Sequence, residues 1–379
     1  MIETLDKMKI KALDLTVQRL IMSDEEYFGN GLKGYTSNSL LGLINPEQGG
    51  SFEKFTKGFT EGNKYVSAFQ LGSAVHALIL EKDNYRLSDM EKPGGKVGFI
   101  ADDIHTLTTK KCDPLGFEEA LKQACATHDY YTTTLTKKRL DTVVEKTRDY
   151  LEYLTTDIPT GTIILTKEQR NKCIGAVASI KGNRDAMSLL YPSFENNPFA
   201  EIYSFKEDVI TIEVEVEVTV GGDEVMTIVL PLKAKLDDWS IDLDEKIITL
   251  NDLKTTGKPV KYFPGARDNS YYQDANGNTQ IEKVFYPGSF QNYHYPRQMG
   301  MYGWMLWKYC QHEYKMDSTW KMRSNMIVVE TNDPYNSQVF KVDKCWIDYG
   351  YSEFTKLVKM VAYYKLFGES TSELMFEIK

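Results

Sequence analysis

Between Ile210 and Val220 the chain alternates without a fault. Ile210, Ile212, Val214, Val216, Val218 and Val220 take every second place, and Thr211, Glu213, Glu215, Glu217 and Thr219 fill the places between. Side chains of an extended chain point to opposite faces in turn, so the run predicts a β-strand with one apolar face to bury and one wet face. Gly221 and Gly222 follow, then a second β run, EVMTIVLPLKAKLDD, which together predict a hairpin. A chain carrying this hairpin needs a sheet and a covering layer.

Helical patterns supply that layer. Leu5, Met8, Leu13, Val17, Leu20 and Ile21 recur at roughly helical spacing and predict a surface helix from Ile2 to about Met22. Ser37 or Asn38 caps a short helix that stops before Pro46. From Tyr65 to Glu81 a strongly apolar helix carries Gly72 and His76 on one face; by itself His76 reads as a satisfied core residue, and as a ligand only with suitable groups opposite it. KVGFIADD reads as a short strand. FEEALKQACATHD, KKRLDTVVEKTRDYLEYL and TKEQRNKCIGAVASIKGNRDAMSLL read as helices, the last opening on Thr166 and Gln169 in capping-box positions. Pro296 opens another, RQMGMYGWMLWKYCQHEY; the hairpin NMIVVETNDPYNSQVFKVD and a helix from Trp346 to about Leu366 close the series. The order predicts an α+β fold, a central mixed sheet flanked by helices with a helical N-terminal portion. We read one domain, mainly helical over 1–198 and sheet-forming over 199–379.

Composition excludes some classes. No stretch of the 379 residues approaches eighteen uninterrupted apolar positions, and the first twenty carry seven charges where a signal core would be apolar, so a cytoplasmic protein without membrane contact is expected. The five cysteines are widely spaced, with no C-x-x-C pair. Lys plus Arg number 45 against 54 Asp plus Glu, a formal charge of −9. A general basic surface for nucleic acid is absent, although metal ions and a local basic groove can act within an acidic molecule.

The hairpin runs into KAKLDDWSIDLDEKIITLNDLKTT, Lys233 to Thr256. Asp252 and Lys254 are two apart on a strand and share a face, and a neighbouring strand can bring Asp237 beside them. Carboxylates bind hard divalent ions through oxygen, such ions activate water and neutralise an attacked phosphate, and an ammonium stabilises the developing charge. Taken alone, D-x-K also fits a solvated strand end. The segment from Gly257 to Pro296 has no sustained period and mixes Lys258, Lys261, Arg267 and Lys283 with Tyr262, Phe263, Tyr271, Tyr272, Phe285 and Tyr286. It can meet phosphates and stack on bases, or pack as a structural insertion.

G-x-x-x-H at Gly72–His76, Asp237, D-L-K-T-T at 252–256 and Q-x-x-x-Y at Gln298–Tyr302 occur in an order that resembles the PD-(D/E)XK nuclease superfamily, in its RecB-like and RecE-like (phage-type) exonuclease branch. The resemblance implies a restriction-endonuclease-like core and a Mg²⁺-dependent DNA exonuclease, with Mn²⁺ able to substitute, making single strands for recombination. It implies that His76, Asp237, Asp252 and the main-chain carbonyl of Leu253 bind metal, that Lys254 positions the attacking water, and that Gln298 and Tyr302 brace the site. Glu201 would be an outer-shell acid, and Lys258, Lys261, Arg267 and Arg297 would meet the substrate. Implied partners are DNA, a single-strand annealing recombination protein and further copies of the chain, in the host cytoplasm if the protein is phage-encoded. An endonuclease or single-strand-specific nuclease of the same fold, and a catalytically silent DNA-binding or assembly protein, remain the alternatives. The long aromatic segment before Gln298 departs from the branch.

Overall fold

The computed structural model describes residues 7–29, 31–61, 67–130, 136–192, 201–220, 224–273 and 279–368. Its contacts divide the chain into two compact units, one drawn from Met1–Tyr65, Ile180–Glu330 and Asn336–Lys379, the other from Val66–Ser179 and Thr331–Tyr335. The N-terminal segment and the region after Ile180 share one sheet.

That sheet has six strands, β1 (Lys9–Leu20), β2 (Ile202–Val220), β3 (Glu224–Asp242), β4 (Ile247–Thr256), β5 (Lys321–Glu330) and β6 (Ser337–Lys341), adjacent in that order. All neighbours are antiparallel except β4 and β5, which run parallel. The predicted hairpin holds a single register from Ile202↔Asp242 to Val220↔Glu224, and its alternate aliphatic residues Ile210, Ile212, Val214 and Val216 are fully buried. The Gly221–Gly222 turn lies outside the described residues. Helices α1 (Asn38–Ile44), α2 (Phe52–Glu61), α3 (Tyr295–Tyr314) and α4 (Lys344–Phe367) flank the sheet. The fold is mixed α+β around a central, mostly antiparallel sheet.

The first strand corrects the predicted N-terminal helix. Met8, Ile10, Ala12 and Val17 pack on the core, and the β1–β2 register slips between Leu13 and Gln18. Within the slip the Thr16 hydroxyl accepts from the Glu213 N–H at 2.9 Å, taking the place of a ladder bond. An irregularity of this kind breaks the period of two, and the apolar spacing then imitates a helix.

A parallel neighbour requires a crossover. Between β4 and β5 the chain forms an antiparallel hairpin of Ala266–Gln273 and Thr279–Tyr286, a short helix Ser289–Asn292 and α3. The segment that showed no period therefore contains ordered strands. Pro296 stands in the first turn of α3, as predicted. Where α3 crosses α4, a Cβ on Gly350 would come within 1.7 Å of the Pro296 carbonyl oxygen, and one on Gly300 within 2.3 Å of the Tyr351 nitrogen. The two backbones therefore touch, which fixes α3 against the sheet. Met299, Met301, Met305 and Leu306 of α3 and Phe354, Leu357, Val358 and Val361 of α4 join the strands in one core. Each such side chain contributes about 1.5–3 kcal/mol on burial.

The second unit is helical, with Ser67–Leu80, Lys96–Thr109, Phe117–Thr127 and Lys137–Leu154, and with Lys167–Gly182 carrying the chain back to the sheet. Its core includes Ile100, Ile104, Ala120, Leu121, Ala124 and Val143. KVGFIADD is the start of a helix here, not a strand: Val97, Ile100, Ala101 and Ile104 are buried at spacings of three and four. The capping box forms, with Gln169 N–H to Thr166 Oγ1 and Thr166 N–H to Gln169 Oε1 both at 3.3 Å. Asn183 breaks the long predicted helix and caps its continuation, Arg184–Leu190. Among the described residues no helix is long and apolar enough to cross a membrane.

Candidate active site

Strands β3 and β4 pair from Asp242↔Ile247 to Asp238↔Asn251, and the ladder stops there. One residue further along the same register, Asp237 stands opposite Asp252. In place of a ladder bond, the Leu253 N–H donates to Asp237 Oδ2 at 2.8 Å. The other edge of β4 stays paired with β5 through Asp252↔Met326, Leu253↔Ile327 and Lys254↔Val328. The sheet opens on one side of β4 at the carboxylates while its other side remains fastened.

Lys254 fills the opening. Its Nζ lies 2.5 Å from Asp252 Oδ2 and 3.7 Å from Asp237 Oδ2, and it donates to the Leu253 carbonyl at 3.3 Å. From α3 the Gln298 amide donates to Asp252 Oδ1 at 2.7 Å. Asp237, Asp252, the Leu253 main chain, Lys254 and Gln298 thus meet at one point. Tyr302, one turn beyond Gln298, is half-buried against the core. Burial keeps its phenol protonated, helped by Tyr27 and by the charges of Asp252, Asp237 and Glu207.

The electrostatics of Asp252 are set by burial and by its two charged neighbours. The residue is 1% exposed, and burial raises its carboxyl well above the usual range; Lys254 draws it back down and the Asp237 charge pushes it up again. Burial works against the Lys254 ammonium, but Asp252 and Asp237 hold its pKa above the ordinary value. Asp252 Oδ2 is buried and accepts no well-aligned hydrogen bond; the Lys254 ammonium 2.5 Å away is its ion-pair partner. Buried carboxylates are normally satisfied. One with a raised pKa and an oxygen short of a well-aligned bond marks a candidate functional group.

Glu207 was missed by sequence reasoning. It faces Asp237 between Lys206↔Asp238 and Asp208↔Leu236, and a carboxylate oxygen of each lies within 4.8 Å of the other. Its φ of 54° is a left-handed conformation inside a strand, which costs energy at any residue other than glycine. Lys235, also unassigned from the sequence, holds Glu207 with Nζ 2.6 Å from Oε2 and forms a second ion pair with Asp24. Burial opposes its charge, yet Glu207 and Asp24 raise its pKa above the ordinary range. The available signal was the polar run Lys206–Glu207–Asp208, which interrupts the β pattern just before the strict alternation. Glu201, the acid suggested from the sequence, is exposed at the strand start, where its N–H donates to Asp244.

The oxygen donors fit a hard divalent cation. Asp237, Glu207, the Leu253 carbonyl and Oδ2 of Asp252 are all oxygens, the ligands such ions take. His76 lies half-buried on the Ser67–Leu80 helix of the second unit. Lys258 and Lys261 are exposed just beyond β4, and the Arg267 side chain lies outside the described residues. Arg297 is corrected: it is 3% exposed, with Nε donating to Asn38 at 2.9 Å and Nη1 to Gln48 and Glu353 at 3.1 Å. Its donors are committed internally, so it ties α3 to α1 and α4 instead of meeting substrate.

No protein-family model matches the chain, and neither does any curated protein. A search of solved structures finds a putative exonuclease from Eubacterium rectale, at 10% identity and a TM-score of 0.45 over 95% of each chain. At that level of likeness nothing about activity or substrate transfers.

Proposed function

We propose that this chain is a divalent-cation-dependent deoxyribonuclease, of the exonuclease kind that degrades double-stranded DNA from its ends. The observation that carries this reading is the buried Asp252 carboxylate, held by Gln298 on one oxygen, faced by Lys254 on the other and opposed by Asp237. Mg²⁺ is the proposed ion, with Mn²⁺ as a substitute. When bound, it supplies charge neutralisation at the phosphate and activation of water. Asp237, Asp252, the Leu253 carbonyl and Glu207 would hold it, and the resemblance adds His76.

The chain's own residues do the rest. Lys254 is charged and fixed between two carboxylates, where it orients water and stabilises negative charge growing on the phosphate oxygens. Gln298 keeps Asp252 in one orientation, the part an outer hydrogen bond plays around a metal ligand. Tyr302 keeps its proton and so offers a donor.

The test is cleavage of end-labelled linear duplex and of closed circular DNA in Mg²⁺. The linear form should be shortened and the circle left intact; a cut circle would mean an endonuclease. Asp252→Asn and Lys254→Ala should each lower the rate by about 10³-fold while circular dichroism stays native. Parental rates in either variant would sink the assignment.

A further inference from the structure

The crossover between β4 and β5 exposes more aromatic surface than its packing uses. Phe263 is its buried hub, with ring centroids 5.5 Å from Phe340, 5.7 Å from Tyr295 and 6.2 Å from Phe290. Those contacts account for its structural part. Around the hub, Tyr262, Phe285, Tyr286 and Tyr293 stay 51%, 44%, 49% and 62% exposed. Tyr286 follows Phe285 on the same strand and faces the other side; single exposed aromatics need no explanation, but three along one crossover do.

Backbone geometry holds the group together. Gly265 has φ 88°, and a Cβ there would come within 2.5 Å of the Phe285 ring; one on Gly288 would come within 2.3 Å of the Tyr262 carbonyl. The exposed Lys258, Lys261 and Lys283 lie along the same segment, with Lys261 Nζ 4.8 Å from the Tyr262 ring centre. The group is also continuous with the candidate active site: the Tyr293 ring lies 5.9 Å from Tyr295, whose ring centre is 5.6 Å from Lys254 Nζ.

We infer that Tyr262, Phe285 and Tyr293 form a stacking platform for the unpaired bases of a DNA strand whose phosphate reaches Lys254. The location of that phosphate rests on the nuclease reading; the stacking does not. Aromatic faces accept any base whose own face is free, and lysines between them meet the backbone. Bases inside a duplex have both faces covered by their neighbours, so the platform favours single-stranded ends. An apolar protein partner fits less well, because docking would bury these lysines without acids to pair them.

Fluorescence anisotropy in EDTA with a dye-labelled oligothymidine of ~12 nucleotides, against an abasic strand of the same length, separates base stacking from charge. The parental protein should bind the base-bearing strand about tenfold tighter or more. That ratio should fall towards one in Tyr293→Ala and in the Tyr262→Ala, Phe285→Ala double variant, and return in Tyr293→Phe. Lys258→Ala with Lys261→Ala should loosen both strands alike. Equal parental binding of the two strands, or an unchanged ratio in folded Tyr293→Ala, overturns the platform. Cleavage in Mg²⁺ is scored separately: a retained ratio without cleavage of any DNA overturns the nuclease reading and supports the platform, whereas cleavage with a parental ratio of one does the reverse.

Discussion

Two buried polar clusters occupy neighbouring residues of the same two strands, and they are built in opposite ways. Asp238 is fully buried, with Oδ1 2.6 Å from Lys206 Nζ and Oδ2 accepting from Asn251 at 2.6 Å. Asn251 in turn accepts from Asn325 at 2.9 Å. Burial raises the Asp238 pKa to about 6, while Lys206 and Asn251 draw it down. Both of its oxygens are engaged. One residue away on each strand, Asp237 and Asp252 share one lysine, and Asp252 Oδ2 has that ammonium as its ion-pair partner without a well-aligned hydrogen bond. The Arg297–Glu353 group is intermediate: Glu353 Oε1 accepts from Asn45 and Arg297 and pairs with His294, while Oε2 is buried without a hydrogen-bond partner. Burial is common to the two clusters. They differ in how the ammonium is shared: Lys206 pairs with Asp238 alone, whereas Lys254 lies between Asp252 and Asp237.

The largest effect expected in the Asp238 cluster is from Asp238→Ala, which leaves the Lys206 ammonium without its buried partner. Urea denaturation should show a loss of roughly 3–5 kcal/mol; a loss below about 1 kcal/mol would break the contrast. Next, Mg²⁺ at a hundred times its dissociation constant should stabilise the parental protein by about 2.7 kcal/mol. Asp252→Asn should show almost none of that gain, whereas Asn325→Ala should keep it. Gln298→Ala should weaken Mg²⁺ binding by about 10–100-fold in calorimetry, with little change in unfolding midpoint. The smallest effect is Asn325→Ala itself, near 1 kcal/mol of stability for one hydrogen bond, with the cleavage rate unchanged. A tenfold fall in that rate would show that the two clusters act as one.

Legibility in the sequence followed locality. Asp252 and Lys254 share a face because alternation is built into an extended backbone, and the helix that carries Gln298 was legible because Pro296 marks its first turn. Arg297, next to Gln298, was misread. Its charge suggested phosphate, and only the approach of Asn38, Gln48 and Glu353 from distant segments turned it into a buried tie. Glu207 was missed for a related reason: the polar run around it hints at a break in the strand, but its positive φ is imposed by its surroundings. The strand Lys9–Leu20 imitated a helix because its register slips between Leu13 and Gln18.

By itself the sequence determined the long hairpin, most of the helices and the order in which Asp237, Asp252, Lys254 and Gln298 reach the sheet. These depend on periods and caps, which the dihedral preferences of a few consecutive residues set. The tertiary structure alone decided that the β3–β4 ladder ends at Asp238↔Asn251, that Asp237 receives the Leu253 N–H, and that Lys206 pairs with one carboxylate while Lys254 lies between two. Those outcomes depend on which remote donors arrive at a strand edge, and no local period encodes the arrival of a remote donor.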